Sequence, residues 1–237
     1  MLTDIPHYKN LGHKVSTLVH VGAHEAEELR YYATVFKAKN ILLMEPNPDK
    51  YSIITSKIKD VQEVSESNII FYPLAAGSTN GQSTLTSFSG RSSGLASLLK
   101  PKFDHIQATF GRDPLELACN GGGVDAPSFE HTIYISTLNK IIAKHVDFEY
   151  IDLIVIDTQG FELEVLKGFS KYLKNTKSID LEVTKNKEVG FYENNPSESE
   201  CSSFLKKYGF EPDYSISSFW GEAQHGRLLY RNKTIQL

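Results

Sequence analysis

Three acidic residues, Glu45, Asp157 and Glu182, each come directly after a run of apolar residues that has the length of a β-strand. Because the carboxyl ends of parallel strands meet at one edge of an open α/β sheet, we expect the three carboxylates to share one site. Carboxylates can accept hydrogen bonds from the hydroxyl groups of a ligand, and they can take the proton of a reacting hydroxyl. The spacing therefore predicts a binding edge with acid-base capacity.

A glycine turn precedes the first of these carboxylates. The apolar run of residues 18–21 stops at Gly22, and residues 24–37 carry apolar side chains at helical spacing, which predicts strand, tight turn and amphipathic helix. In α/β folds that bind nucleosides, such a turn lets the backbone approach the ligand, and an acid about 20 residues later binds the ribose hydroxyls. Glu45 stands at that spacing.

The chemistry of this turn distinguishes between the nucleosides that use it. A dinucleotide requires a G-x-G-x-x-G turn for its pyrophosphate, whereas this turn contains only Gly22. Glu25, Glu27 and Glu28 place negative charge in the predicted first helical turn, where it would repel a diphosphate. S-adenosylmethionine has a sulfonium cation and no phosphate, so the acidic rim favours the methyl donor over NAD. The same glutamates could equally cap and solvate a helix.

Periodicity predicts an open α/β sheet, mostly parallel with an antiparallel last strand. Strands are expected at residues 18–21, 41–44, 68–72, 132–137, 151–156, 178–181, 210–216 and 227–231. Helices are expected at residues 24–37, 49–59, 138–144, 161–173 and 199–208. Asn80-Gly81 predicts a hairpin that joins residues 74–76 to residues 83–85. The strand at residues 151–156 is the most apolar, which is typical of a central strand buried on both faces.

Residues 78–128 are the least regular part of the chain and are rich in Gly, Ser and Pro. A loop of this length inside a compact domain is usually a lid, a binding loop or a disordered insert. We expect it on the substrate side, although each of its polar residues could equally be an ordinary surface residue. The residues able to bind a hydroxylated or charged substrate are Arg91, Ser92, Ser93, Lys100, His105 and Arg112.

Composition excludes several classes of protein. The 237 residues are 40% hydrophobic and 23% charged, which predicts one domain over residues 17–237 after a lead-in of residues 1–16. Nucleic acid is not expected as a partner, because the net charge is -4 and no basic stripe is visible. No apolar run reaches about 18 residues, which predicts no membrane span. Cys119 and Cys201 lie far apart, which fits reduced thiols in the cytoplasm.

Four segments carry a resemblance to a known family. They are Val19-His20-Val21-Gly22-Ala23-His24, Glu45-Pro46-Asn47-Pro48, the run I-D-T-Q-G-F-E-L-E-V-L-K-G at residues 156–168, and Glu182-Val183. In order and spacing they resemble the FkbM family of S-adenosylmethionine-dependent methyltransferases. The resemblance implies the class I methyltransferase fold, which is Rossmann-like with a seven-stranded sheet, and O-methylation of a hydroxyl on a sugar or polyketide.

The resemblance, together with the glycine turn and the strand ends, predicts the site residues. The methyl donor is expected to contact His20, Gly22, Ala23, His24, Glu45, Pro46, Asn47, Ala75, Ala76 and Asp157. The catalytic candidates are Asp157, Glu182 and His105, because an alcohol nucleophile needs a base. The acceptor is expected to contact Arg91, Ser92, Ser93, Gln159 and His225. No metal site is predicted, because His20 and His24 do not share a face across a junction of strand and turn.

Four residues, His20, Asn139, Gln159 and Arg227, depart from the pattern of the family. Arg227 stands where the closing strand often begins with Asp, which could alter the acceptor or the base. The polar character of residues 78–128 favours a sugar hydroxyl of a glycan precursor as the acceptor. Two other interpretations remain open: an NAD-dependent sugar oxidoreductase or epimerase, and a module that binds S-adenosylmethionine without catalysis.

Overall fold

The computed structural model describes residues 11–88, 94–102, 104–105, 128–220 and 225–235. The main sheet has seven strands in the order β3-β2-β1-β7-β8-β10-β9. Its strands are β1 (Thr17–Val21), β2 (Asn40–Met44), β3 (Asn68–Tyr72), β7 (Ile151–Ile156), β8 (Thr176–Thr184), β9 (Phe210–Trp220) and β10 (His225–Asn232). Strand β10 is antiparallel to β8 and to β9, and the other pairs are parallel. The predicted fold class is confirmed: an open, mostly parallel sheet with an antiparallel last strand.

Two layers of helix cover this sheet. Helices α1 (Leu29–Thr34) and α2 (Tyr51–Gln62) pack on one face, and α3 (Leu138–Ile142), α4 (Glu162–Gly168) and α5 (Glu198–Lys206) pack on the other. Alternate residues of a strand point to opposite faces. Val19 and Val21 therefore contribute to the core below α4, while Leu18 contributes to the core below α1. Because the central strands are apolar on both faces, polar groups are confined to the sheet edge and to a few buried positions.

A second, small sheet lies beside the end of β3. It consists of β4 (Ala75–Ala76), β5 (Gly81–Phe88) and β6 (Ser128–Ser136), in the order β4-β6-β5. Strand β6 pairs in parallel with β4 and antiparallel with β5. The predicted hairpin between residues 74–76 and 83–85 is therefore wrong, because β6 occupies the position between them. The first part of the expected irregular loop is a regular strand, and Arg91, Ser92, Ser93 and most of that loop lie outside the described residues.

The helix after the glycine turn is shorter than predicted. It begins at Leu29 and not at residue 24, because His24 and Ala26 have φ values of +48° and +53°, which a right-handed helix does not allow. Glu25 and Glu27 therefore lie in the turn and not in a first helical turn. Both side chains also have partners: Glu25 contacts the ammonium of Lys50 and Glu27 contacts the imidazole of His24, each at 2.8 Å. The predicted acidic first helical turn, which favoured S-adenosylmethionine over NAD, is therefore wrong.

Candidate functional site

The glycine turn is held against the strands on both sides of β1. The amides of Gly22 and Ala23 donate to the carbonyl oxygen of Met44 at the end of β2, and the amide of Asp157 donates to the carbonyl of Val21. Gly22 has a φ of +81°, and a Cβ atom at this position would overlap the carbonyl oxygen of Asp157. Only glycine allows so close an approach of the two backbones. The turn and the end of β7 thus form one surface.

Glu45 lies next to this turn and is 6% exposed. Its Oε2 accepts a hydrogen bond from the amide of His24, and its Oε1 accepts one from the amide of Asn47, both at 2.8 Å. Each carboxylate oxygen retains a further acceptor direction, which suits a pair of ribose hydroxyls. Burial raises the pKa of Glu45 to about 7, although the two amide hydrogen bonds oppose that shift.

Lys50 and Tyr51 fix the segment that follows Glu45. The Tyr51 hydroxyl lies 2.9 Å from the carbonyl oxygen of Pro46 and 3.1 Å from that of Pro73, so it joins the ends of β2 and β3. The Lys50 ammonium donates to Glu25 at 2.8 Å. These contacts fix the residues around Glu45 relative to the sheet. A ligand site requires side chains that are preorganised in this way.

Asp157 follows β7 directly, whereas Glu182, predicted to follow a strand, lies inside β8 two residues before its end. The side chain of Gln159 joins the two acids. Its Nε2 donates to Oδ1 of Asp157 at 2.7 Å and to Oε2 of Glu182 at 3.0 Å. Its Oε1 accepts a hydrogen bond from the hydroxyl of Tyr192 at 2.8 Å. Burial, and then the negative charge of Asp157, raise the pKa of Glu182 well above its ordinary value. The edge therefore contains a closely spaced pair of carboxyl groups beside the glycine turn.

Arg227 reaches this pair from β10. Its guanidinium contacts Asp157 at 3.2 Å and Asp180 at 2.9 Å. Asp180 is fully buried, and Arg227 pairs in register with Glu182 across β8 and β10. A buried carboxylate requires such a charged partner. Arg227, which departs from the family pattern, thus has a structural role: its guanidinium neutralises the buried carboxylate of Asp180.

The turn after β7 has two further supports. Glu162, which is 4% exposed, accepts hydrogen bonds from the amides of Thr158 and Gly160 at 2.9 and 3.0 Å, and burial raises its pKa to about 7. The hydroxyl of Ser97 donates to the carbonyl oxygen of Gln159 at 2.6 Å. These bonds hold Gln159 at a φ of +54°, a conformation that few residues other than glycine adopt. The amide group of Gln159 is therefore held in place.

The remaining predicted site residues lie at different depths. His20 is 4% exposed on the face of the sheet below α1, where its Nδ1 is 3.4 Å from the Tyr32 hydroxyl. His225 is 3% exposed, bonded to Thr184 and stacked on Phe191, so its position does not support the predicted contact with an acceptor. Burial lowers the pKa of His225 to about 4.

Two other predicted groups lie on segments beside the site. His105 bonds to the carbonyl oxygen of Gly190 at 3.1 Å, on the segment that leads to Tyr192. Ala75 and Ala76 are buried in β4, which follows β3 after a short turn. No group of three or more His, Cys, Asp or Glu residues within the described ranges could hold a metal ion. No helix of those ranges is long and apolar enough to cross a membrane.

Sequence reasoning missed Tyr192 and Asp180. Asp180 carries a signal, because a charged residue inside an otherwise apolar predicted strand requires a partner. Tyr192 carries none, since it lies in an irregular segment and contacts a residue 33 positions away. Long-range contacts of this kind follow only from the fold.

The strand order, the glycine turn and the acid at the end of β2 together define a class I methyltransferase. Residues 20–212 match the Methyltransferase FkbM domain. The chain belongs to the FkbM methyltransferase family, and its cofactor is S-adenosyl-L-methionine. No curated protein matches the sequence.

Solved structures of methyltransferases are similar in fold. An FkbM methyltransferase from Methylobacillus flagellatus KT superposes with a TM-score of 0.58 at 13% identity, over 92% of this chain and 44% of that chain. A putative tRNA methyltransferase from Streptococcus pneumoniae in complex with S-adenosyl-L-methionine superposes with a TM-score of 0.47 at 12% identity. The match covers 94% of this chain and 69% of that chain. The chain thus spans less than half the length of the FkbM structure.

The residues present fit the cofactor. Gly22 has no side chain that could obstruct a ligand at the turn. Each carboxylate oxygen of Glu45 accepts one backbone amide and keeps a second acceptor direction for a ligand. The carboxyl group of Asp157, which follows β7, suits a ligand that carries a sulfonium cation. When bound, S-adenosyl-L-methionine supplies an electrophilic methyl group.

Replacing Glu45 with Gln is expected to weaken binding of S-adenosyl-L-methionine by about 1.5–3 kcal/mol, or about ten- to a hundredfold, because a charged acceptor is lost. The parent protein should also bind S-adenosyl-L-methionine more weakly as the pH falls from about 8 to about 6. The pH then passes through the raised pKa of Glu45, and the ionised fraction of this carboxylate falls. Isothermal titration calorimetry measures both effects. The Glu45→Gln variant is the control for the pH effect, and a parent affinity that does not change over this range would contradict the ribose assignment.

Proposed function

We propose that the chain transfers a methyl group from S-adenosyl-L-methionine to a hydroxyl of a sugar or glycan precursor. The observation that carries this proposal is the Asp157–Glu182 pair beside the glycine turn. A hydroxyl is a weak nucleophile and must lose its proton as the methyl group is transferred, so a positioned carboxylate is required. The rest of catalysis consists of holding two reactants in line and excluding water.

A polar groove supports a carbohydrate acceptor. It has a volume of about 550 Å³ and lies between the residues before α5, the outer side of α4, and residues 99 and 102. Gly160, which follows Gln159, forms part of its wall, so the groove begins one residue from the side chain that joins the two carboxylates. The groove is lined by Leu99, Lys102, Gly160, Phe161, Leu163, Glu164, Lys167, Lys187, Glu188, Asn194, Asn195, Pro196 and Glu200.

The charges of this groove are balanced. Three lysines and three glutamates line it, and two of the lysines pair within it, Lys167 with Glu164 and Lys187 with Glu200. Balanced charge disfavours a phosphate-rich ligand such as nucleic acid, which binds to clustered cations. Charged and carboxamide groups beside the ring of Phe161 offer hydrogen bonds and one apolar surface, a combination that suits an uncharged polyhydroxylated ligand.

A methylation screen tests the proposal. Incubation with labelled S-adenosyl-L-methionine and a panel of glycosides, catechols, macrolides and tRNA should transfer label to glycosides, and mass spectrometry should place it on oxygen. The double variant Lys102→Ala, Glu188→Ala should raise KM for the glycoside about tenfold and leave the affinity for the donor unchanged, because these residues line only the groove.

The matched control for this screen is Lys59→Ala, Glu63→Ala, which removes the same charges at the end of α2. Label that enters only catechols, macrolides or tRNA would overturn the carbohydrate acceptor. An equal effect of the two double variants on KM would remove the groove from the acceptor site.

A further inference from the structure

The carboxamide of Gln159 can satisfy its neighbours in only one orientation. Both hydrogens on Nε2 are donated to carboxylates, one to Asp157 and one to Glu182, and Oε1 accepts from the hydroxyl of Tyr192. A rotated amide would direct Oε1 at the oxygens of Asp157 and Glu182, and the ionised member of that pair has no hydrogen to donate to it. Tyr192 is 2% exposed, and its hydroxyl is also 3.2 Å from the carbonyl oxygen of Leu95. The position of this hydroxyl is therefore fixed, and it orients the carboxamide of Gln159.

The two carboxyl groups that Gln159 joins have different surroundings. Asp157 contacts the guanidinium of Arg227 at 3.2 Å in addition to Gln159, which is a charge-assisted contact. Glu182 is half-buried beside the carboxylate of Asp157, with which it shares the amide donor of Gln159. Two carboxyl groups that share one amide donor repel each other when both are ionised, and the one without a direct contact to the guanidinium takes up a proton first. The titratable and charged groups that face Glu182 are Asp157, Glu162, Tyr192, His225 and Arg227.

We propose that Gln159, oriented by Tyr192, holds Asp157 and Glu182 as a pair that shares one proton, and that Arg227 fixes this proton on Glu182. Asp157 is then the ionised base of the pair. Gln159, Tyr192 and Glu182 are positioning residues, and they act through Asp157. This inference rests on the proposed transfer to a hydroxyl, and it names the group that receives the proton.

The proton balance is simple. The acceptor hydroxyl gives its proton to a carboxylate oxygen of Asp157 as its own oxygen forms the new bond to the methyl carbon. The bond between that carbon and sulfur breaks, and its electron pair stays on sulfur. Glu182 enters and leaves the reaction protonated, so the pair gains one proton per turnover and releases it to solvent.

Carboxyl-carbon NMR tests the arrangement without any acceptor. In protein labelled with ¹³C-glutamate, the resonance that is lost in Glu182→Gln belongs to Glu182, and we expect it to report a protonated carboxyl at neutral pH. Tyr192→Phe should move the midpoint of this resonance upward by about one pH unit or more, because Gln159 no longer holds a donor on the ionised form. Tyr214→Phe is the matched control, since its hydroxyl bonds to Glu198 of α5 and not to Gln159.

The outcomes are separable. A Glu182 resonance that is ionised at neutral pH overturns the inference, and so does a Tyr192→Phe midpoint equal to that of Tyr214→Phe. Should Tyr192→Phe fail to fold, Gln159→Leu removes the same donor and is expected to give the same upward shift. A protonated Glu182 in a protein that methylates no hydroxyl would leave the proton arrangement standing and would overturn the proposed function instead.

Discussion

Replacing Asp157 with Asn is expected to lower kcat for hydroxyl methylation by about 10²- to 10⁴-fold, the usual contribution of a general base. Asn retains the size of Asp and can still accept a hydrogen bond from Arg227 or Gln159, so the fold should persist. What is lost is the group that takes the proton of the acceptor hydroxyl. Rates measured with labelled S-adenosyl-L-methionine and a glycoside acceptor, under saturating donor, give the change in kcat.

The matched variant is Glu182→Gln, which removes a carboxyl group from the same pair. Because we infer that Glu182 is protonated, Gln is close to its isostere, and kcat should fall by less than about tenfold. Circular dichroism shows whether Asp157→Asn is folded. An unfolded variant, or one whose kcat falls no further than that of Glu182→Gln, would favour a structural role for Asp157 as the cap of the turn.

Replacing Arg227 with Leu is expected to lower the free energy of unfolding by about 3–5 kcal/mol, the usual effect of removing one partner from a buried ion pair. The side chain of Asp180 is fully buried and lies 2.9 Å from the Arg227 guanidinium. Without Arg227 it must either keep an unpaired charge in the core or take up a proton. Urea denaturation followed by circular dichroism measures the loss.

Two controls accompany this experiment. Arg227→Leu combined with Asp180→Asn removes both charges of the Arg227–Asp180 pair and should recover most of the stability, because the fully buried side chain at position 180 is then neutral. Arg231→Leu removes an arginine of the same strand whose partner, Asp213, is partly exposed, and should cost about 1 kcal/mol. If Arg227→Leu costs no more than Arg231→Leu, the buried pair does not stabilise this protein.

Much of the fold is readable from local patterns. The run Ile151–Ile156 and the run Asn68–Tyr72 were predictable to the residue, because a short, mostly apolar stretch bounded by polar residues is typical of a buried strand. The helix after the glycine turn was not, because the positive φ of His24 and Ala26 has no signature in residue type there. The hairpin at Asn80-Gly81 failed because a strand distant in sequence, β6, pairs with both of its arms.

The candidate site was likewise predictable only in part. Glu45 and Asp157 could be found because position at a strand end is a local property. Glu182 was expected at such an end but lies inside β8, and the structure brings it to Asp157 through Gln159. Their charge states could not be found, since they depend on Arg227 and Tyr192, which reach the pair from distant segments. The roles of His105 and of Arg91, Ser92 and Ser93 stay predictions.

The segment of residues 94–102 is fastened at both ends. Ser97 pairs with Thr86 of β5, while Pro101 bridges to Tyr192 and the Lys102 amide donates to Phe191. The chain re-enters the described fold at Ser128, which pairs with Phe88. Lys102 and Ser128, which stand on either side of residues 103–127, are therefore both hydrogen-bonded to the fold that the structure describes. A foreign segment joined at these two positions would have both of its ends held by backbone hydrogen bonds that lie outside the segment.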